Sequence, residues 1–212
     1  MACWTWSGWL APPGRSWPRP PPRRPLRGSA AAGACCASFE RVFVLGIDPG
    51  LSRCGYGGVR APSSGGDVSG WRAELAGVLT TSPDAPVYER LACLAADLRA
   101  LITECNPDAV AVERVFFQTN VRTAISVAQA SGVALAIAAA AGCEVAEYTS
   151  NEVKQAVAGY GAATKEQVQR MVATQLSLAE RPKPADAADA LALALCHLTV
   201  APRLKRWAEA GR

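Results

Sequence analysis

The 212-residue sequence has no run of about 18 apolar residues free of polar or turn-forming residues, the length that a membrane-spanning helix needs. The nearest candidate, residues 124–142, is interrupted by Ser126, Gln129, Ser131 and Gly132. It is therefore predicted to be a buried helix, and no membrane partner is expected. The eight cysteines include no CxxC pair, and there is a single histidine. A zinc site and a disulfide framework are therefore not expected, and free thiols in a reducing compartment are the better interpretation.

Acidic residues are almost missing from the first 40 residues, where Glu40 stands against five arginines. This leader also holds seven of the 15 prolines and accounts for the whole formal net charge of +4, because the other 172 residues carry 17 basic and 17 acidic side chains. The composition fits an organellar transit peptide, although no amphipathic helix is visible, or a start codon assigned too early. Under either interpretation we predict a disordered leader at residues 1–40, a folded domain at residues 41–202 and a basic tail at residues 203–212.

Hydrophobic periodicity in the folded part predicts three antiparallel strands followed by alternating helices and strands. Apolar and β-branched runs predict strands at residues 41–47, 55–60, 71–80, 109–113 and 143–148. Apolar residues spaced three and four apart predict helices at residues 86–105, 120–141, 164–178 and 185–200, with a short helix capped by Thr149 or Ser150. This order is typical of an α/β fold in which helices cover both faces of a mixed five-stranded sheet.

Four acidic residues lie where a carboxylate is locally unfavourable. Asp48 and Glu113 each end an apolar strand, and Asp186 and Asp189 share one face of the last helix among alanines and leucines. A cluster of like charges stays ionised only if cations neutralise it, and oxygen ligands favour Mg²⁺ or Mn²⁺ over zinc. Taken one at a time, however, these residues could instead start a turn, end a solvated strand or cap a helix.

Five short motifs occur in an order and at spacings that point to one family. They are VLGIDPG at residues 44–50, CGYG at 54–57, VERVF at 112–116, NEVK at 151–154 and ADAADALA at 185–192. Together they resemble the motifs of the RuvC Holliday-junction resolvases over residues 41–202, and the last three are most similar in form to those of actinobacterial members. The resemblance implies an RNase H-like fold and an endonuclease that resolves four-way DNA junctions in recombination and repair. It also implies a location in the bacterial cytoplasm, or in an organelle if the leader is a transit peptide.

The resemblance further implies roles for individual residues and a set of partners. The family's catalytic, metal-binding acids are matched by Asp48, Glu113, Asp186 and Asp189. These acids would hold two Mg²⁺ ions, for which Mn²⁺ can substitute. Phe116 matches an aromatic residue that contacts opened bases, and Lys154 and Lys165 match lysines that bear on catalysis and DNA binding. The expected partners are junction DNA, a second copy of the chain, and the branch-migration proteins RuvA and RuvB.

Attraction for DNA must be local in this chain, because the folded part is neutral overall. The segments that flank the acids carry the basic residues Arg114, Arg122, Lys154, Lys165 and Arg170. We expect part of this set to contact DNA. Hydrolysis beside two metal ions would leave a 5′-phosphate and a 3′-hydroxyl.

The helix predicted at residues 120–141 is apolar around nearly its whole circumference. One face must cover the sheet, and the other needs a second cover, for which a homodimer and a later helix of the same chain are both open. Small residues would let two copies approach closely, and we select Ala128, Ala134 and Ala138 as interface positions. His197, late in the last helix, is expected to pack there and not to act in catalysis.

Three other functions compete with junction cleavage. The GIDPG turn at residues 46–50 also resembles the phosphate loop of actin-like ATPases and sugar kinases, but 172 residues leave no room for their second half. An RNase H-like RNA-processing nuclease and a non-catalytic junction-binding protein stay as alternatives. The presence of all four acids argues against the non-catalytic protein.

Overall fold

A computed structural model of the protein describes residues 41–62, 68–115 and 121–210, and for residue 69, residues 121–123 and residues 202–210 it describes the backbone alone. Its sheet has five strands: β1 (Arg41–Asp48), β2 (Arg53–Pro62), β3 (Arg72–Thr80), β4 (Ala109–Glu113) and β5 (Glu144–Tyr148). Their order is β3-β2-β1-β4-β5. The pairs β1–β2 and β2–β3 are antiparallel, whereas β1–β4 and β4–β5 are parallel.

Helices cover both faces of the sheet, as the sequence predicts. The helices are α1 (Val87–Cys105), α2 (Val121–Ala140), α3 (Ser150–Ala158), α4 (Lys165–Gln175) and α5 (Ala185–Ala210). Buried side chains of α1 and α2 pack on one face, and those of α3, α4 and α5 pack on the other. The prediction of a mixed five-stranded α/β sheet is therefore confirmed. Among the described helices, none is both long and apolar enough to cross a membrane.

The central strand β1 sends alternate side chains to opposite faces of the sheet. Leu45 and Ile47 belong to the core beneath α1 and α2, whereas Val44 belongs to the core beneath α5. Asp48 follows Val44 in this alternation, so its carboxyl group lies on the α5 face at the end of the strand. The same alternation places Glu113 on that face at the end of β4, because Ala109 and Ala111 also face α5.

Two glycines allow α5 to lie directly on the sheet. A Cβ atom on Gly46 of β1 would collide with the backbone oxygen of Ala190, and one on Gly55 of β2 would collide with the backbone oxygen of Asp186. Only residues without a side chain permit this approach. The two glycines therefore set the distance between the first turns of α5 and the ends of β1 and β2.

The buried and exposed faces of α2 correct one sequence-based selection. Ala134 and Ala138 are fully buried in the chain's own core against the sheet and α1. The choice of these two residues as interface positions is therefore wrong, since no second copy can reach them. The outward face of α2 instead carries Ile125, which is 52% exposed, together with Gln129, Gly132, Ala136 and Ala139.

Two helix ends differ from the predicted ones. Helix α4 ends at Gln175 and not near residue 178, because Ser177 adopts a positive φ of 51° that α-helix cannot continue. Helix α5 continues to Ala210, through the segment predicted as a basic tail, although Pro202 inside it has no N–H to donate. His197 is buried as predicted, with its Nδ1 3.0 Å from the Tyr148 hydroxyl. The domain boundaries at residues 40 and 202 stay predictions.

Candidate active site

The four acids predicted to cluster meet at one edge of the sheet. Strands β1 and β4 are parallel neighbours with Ile47 opposite Val112, so the next residues, Asp48 and Glu113, end side by side. Their carboxyl groups are hydrogen-bonded to each other. Asp186 and Asp189, on the first turns of α5, are close enough for their charges to act on Asp48. Three distant segments thus bring four carboxyl groups together.

Two helix starts position the lysines next to these acids. Thr149 caps α3 and Thr164 caps α4, each in a reciprocal capping box with the residue three positions later. Thr149 is one of the two caps predicted for the short helix, and Thr164 is the residue at which the next helix is predicted to begin. They fix the starts of α3 and α4 on the α5 face of the sheet, and Lys154 and Lys165 lie within the first five residues of these helices.

A cavity of about 390 Å³ lies between the sheet edge and these helices. Asp48, Glu113 and Asp189 are in its wall, together with Lys154 and Lys165. The cavity therefore combines three carboxyl groups with two ammonium groups. Asp186 lies beside the cavity and outside its wall.

Asp186 and Asp189 each form an ion pair with a residue from another element. The Lys165 Nζ atom is 2.5 Å from Asp189 Oδ2. The Arg53 guanidinium donates two hydrogen bonds to Asp186 Oδ2, from Nε at 2.9 Å and from Nη2 at 2.7 Å. Arg53 is not predicted from the sequence, because nothing local at the start of β2 indicates a partner 133 residues away.

The electrostatics of the cluster hold a proton on its central acid. Burial, and after it the charges of Glu113 and Asp189, raise the pKa of Asp48 from 3.8 to about 8. At neutral pH Asp48 therefore donates its hydrogen bond to the Glu113 carboxylate. Burial also raises the pKa of Glu113 and of Asp189, against the opposing effect of Lys165. The cluster is an environment in which added positive charge is stabilising.

The donor set fits a hard divalent cation. All four acids offer carboxylate oxygens, which suit Mg²⁺ or Mn²⁺. Within the described part of the chain, no three His, Cys, Asp or Glu side chains converge tightly enough to enclose a metal ion. These carboxyl groups are paired with Arg53, with Lys165 and with each other.

Without divalent ions, the stability of the folded protein is expected to fall as pH rises from about 4 to about 8. The folded-state pKa of Asp48 lies near 8 and its ordinary value is 3.8. The stabilising effect of this proton is therefore complete below 3.8 and is lost as pH rises through 8. Melting in EDTA across this range should show Asp48→Asn with a flatter pH dependence and a higher Tm at pH 8 than the unsubstituted protein. An identical pH dependence in both proteins would contradict the raised pKa.

The other residues predicted to bind DNA are placed less completely. Lys154 lines the cavity, and its charge lowers the pKa of Glu113. Arg114 follows β4 directly, with its side chain exposed and its backbone N–H donating to Tyr148 O at 2.8 Å. Arg122 belongs to the first turn of α2, but its side chain is outside the described atoms, and Phe116 lies outside the described residues.

Comparison with known proteins identifies a family that matches most of the chain. The family described as crossover junction endodeoxyribonuclease RuvC matches residues 44–197. The crossover junction endodeoxyribonuclease RuvC of Leifsonia xyli is 53% identical over 156 residues, which are 74% of this chain and 73% of that protein. The protein of the same name from Frankia casuarinae is 50% identical over 170 residues, 79% of this chain and 95% of that protein.

Solved structures agree with the sequence comparison. The structure of RuvC from Thermus thermophilus in complex with a Holliday junction substrate is 40% identical, with a TM-score of 0.71, and the match covers 76% of this chain and 96% of that chain. The RNase H-like fold implied by the resemblance is thereby confirmed. The chain belongs to the RuvC family of crossover junction endodeoxyribonucleases.

Proposed function

We propose that this protein resolves Holliday junctions by cutting four-way DNA at the carboxylate cluster, with Mg²⁺ as its metal ion. Enzymes of its family depend on divalent metal ions. The observation that carries the proposal is the meeting of Asp48, Glu113, Asp186 and Asp189 next to a cavity that also holds Lys154 and Lys165. Cleavage of this kind serves DNA recombination and repair.

The acids would hold the metal ions, and their negative charges would offset those of the ions. A bound pair of divalent ions supplies an activated water and stabilises the leaving oxygen in phosphodiester hydrolysis. Asp48, Glu113 and Asp189 face the cavity and would be the principal ligands, with Asp186 next to them. Loss of the Asp48 proton must accompany metal binding, since a ligating carboxylate is ionised.

The two lysines would bring the scissile strand to this negatively charged edge. Phosphate groups are repelled by carboxylates, so a cationic rim is needed for their approach. Lys165 already neutralises Asp189 through their ion pair, and its side chain is 54% exposed and thus within reach of DNA. Lys154, on α3, lines the same cavity, and its charge lowers the negative potential at Glu113.

A nicking assay on a synthetic four-way junction with Mg²⁺ tests the proposed function. The expected products are paired, symmetric nicks that leave 5′-phosphate and 3′-hydroxyl ends, with no cleavage of a linear duplex of the same sequence. Asp189→Asn should bind the junction without cutting it. Cleavage of structured RNA in preference to the junction would favour an RNA-processing nuclease, and binding without nicks by the unsubstituted protein would favour a non-catalytic role.

We also propose that the enzyme acts as a homodimer formed through the outward face of α2. That face presents Ile125 and Ala136 to solvent, and apolar surface of this kind is often covered by a partner. A four-way junction has two equivalent strands to cut, and a two-fold dimer presents two sites with matching symmetry.

Replacing Ala136 with Arg is expected to yield a folded monomer that no longer makes paired nicks. The added charge would be placed on the exposed face and would oppose close approach of a second copy. Sedimentation velocity at micromolar concentration measures the association, and the control is Ala162→Arg, an exposed residue between α3 and α4 on the opposite face of the sheet. A dimer that survives Ala136→Arg would place the interface elsewhere.

The remaining partners and contacts belong to the same proposal. RuvA and RuvB would supply the branch migration that moves a junction to the enzyme, and the bacterial cytoplasm would be the compartment. Phe116, Arg114 and Arg122 would contact the junction around the cut, with Phe116 stacking on an opened base. Stacking of this kind contributes about 1–3 kcal/mol per base.

A further inference from the structure

We propose that Arg53 is a further substrate-binding residue of this enzyme, whose guanidinium binds the DNA phosphate next to the one that is cut. The proposal rests on the proposed function, because it requires junction DNA at the carboxylate cluster. It assigns a DNA contact to the β2 side of the site, whereas Lys154 and Lys165 lie on the side of α3 and α4.

The position of Arg53 in the sheet supports this role. Asp48 on β1 is paired with Gly55 on β2. Arg53 lies two residues before Gly55 in the chain, on the same face of β2 and past the end of β1. Neighbouring strands are about 4.8 Å apart. Along the sheet edge the charges therefore run from Arg53 on β2 to Asp48 on β1, Glu113 on β4 and Lys154 after β5. A DNA strand that presents one phosphate to the acids would have neighbouring phosphates near the cations at both ends.

Asp186 orients the arginine for such a contact. Both hydrogen bonds from Arg53, through Nε and Nη2, go to a single oxygen of Asp186. The Arg53 side chain is 52% exposed, against 28% for Asp186, so a ligand in solvent can reach the arginine more readily than the acid. An arginine edge held in this way matches two phosphate oxygens and loses less rotational freedom when it binds them.

A role in stabilising the fold explains the Arg53–Asp186 ion pair less well than a role in DNA binding does. An exposed pair contributes little to stability, since water screens its charges. Arg60 offers a direct comparison on the same strand. Its Nε atom is 2.5 Å from one Glu74 carboxylate oxygen, and its Nη2 atom is 2.9 Å from the other. The Arg60 guanidinium lies over the Phe43 ring, at the end of β2 that is remote from the acids. Arg60 has the same type of pair but no carboxylate cluster beside it.

Salt dependence of junction binding tests the proposal. Fluorescence anisotropy in EDTA should show several-fold weaker binding for Arg53→Gln. The slope of log K against log salt is negative, and its magnitude should become smaller by about 0.7–0.9 for each protomer that contacts DNA. Arg53→Lys should restore the slope, because it keeps the charge, and Arg60→Gln should leave it unchanged. An unchanged slope in Arg53→Gln would overturn the proposal.

A second measurement begins with the unsubstituted protein alone and changes the DNA. Single uncharged methylphosphonates placed at the phosphates that flank the cut should weaken binding of the unsubstituted protein at one position. A methylphosphonate at that position should not weaken junction binding by the Arg53→Gln variant any further. If no flanking methylphosphonate affects the unsubstituted protein, Arg53 does not bind there. If the unsubstituted protein binds no four-way junction at all, the proposed function itself fails, which is a different result.

Discussion

Asp48→Asn is expected to abolish junction cleavage while junction binding stays intact or becomes tighter. Asparagine has the same shape but supplies no anionic ligand, so stabilisation of several kcal/mol in the transition state is lost, which corresponds to about 10³-fold or more in rate. The same change removes a carboxyl group that repels phosphate. Single-turnover nicking in Mg²⁺ measures the loss of cleavage, and a gel shift in Ca²⁺ measures the binding.

A matched substitution on the other face of the sheet controls for general effects. Asp97 lies on α1, away from the cluster, and Asp97→Asn should leave both cleavage and binding as they are. Loss of junction binding in a folded Asp48→Asn protein would contradict the proposed metal-binding role. So would cleavage that survives the substitution at the unsubstituted rate.

Gly55→Ala is expected to reduce cleavage by about 10²-fold or more with a smaller effect on junction binding. The added Cβ would collide with the backbone oxygen of Asp186, so the first turn of α5 must move away from the sheet. A displacement of about 1 Å in a catalytic group can reduce the rate by about 10². Overpacking of this kind also lowers the free energy of unfolding by about 1–3 kcal/mol.

The control is a glycine whose replacement meets no obstacle. A Cβ on Gly161 would contact only Asn151, at 3.8 and 4.0 Å, which is ordinary van der Waals distance. Gly161→Ala should therefore keep the unsubstituted Tm and cleavage rate, and thermal melting with a nicking assay compares the two variants. Full cleavage by Gly55→Ala would show that the position of α5 is not critical for the reaction.

The strands and the acids could be predicted from local patterns. The apolar run of β4 ends in Glu113, and the chain turns at the Asp-Pro-Gly segment after β1, so both elements and both carboxylates are visible in a few consecutive residues. The pair on α5 is visible for the same reason, since residues three apart on a helix share a face. The capping boxes at Thr149 and Thr164 are likewise local hydrogen bonds within four residues.

The orientation of α2 could not be predicted in this way. Apolar residues surround the helix, so the periodicity does not distinguish the face that packs on α1 and the sheet from the face in solvent. The sequence therefore predicts Ala134 at an interface, whereas the structure buries it fully in the chain's own core. Only the packing of the neighbouring elements decides which side of such a helix is covered.

The amino-acid sequence by itself determined which carboxylates this protein brings to its site, because each ends or begins an element with a local signature. The tertiary structure alone decided how those carboxylates are held. Asp186 meets Arg53 across 133 residues, and α5 reaches the strand ends because Gly46 and Gly55 leave space for its backbone. These contacts depend on how close two distant segments approach, and that distance is a property of the packed core and of no single segment.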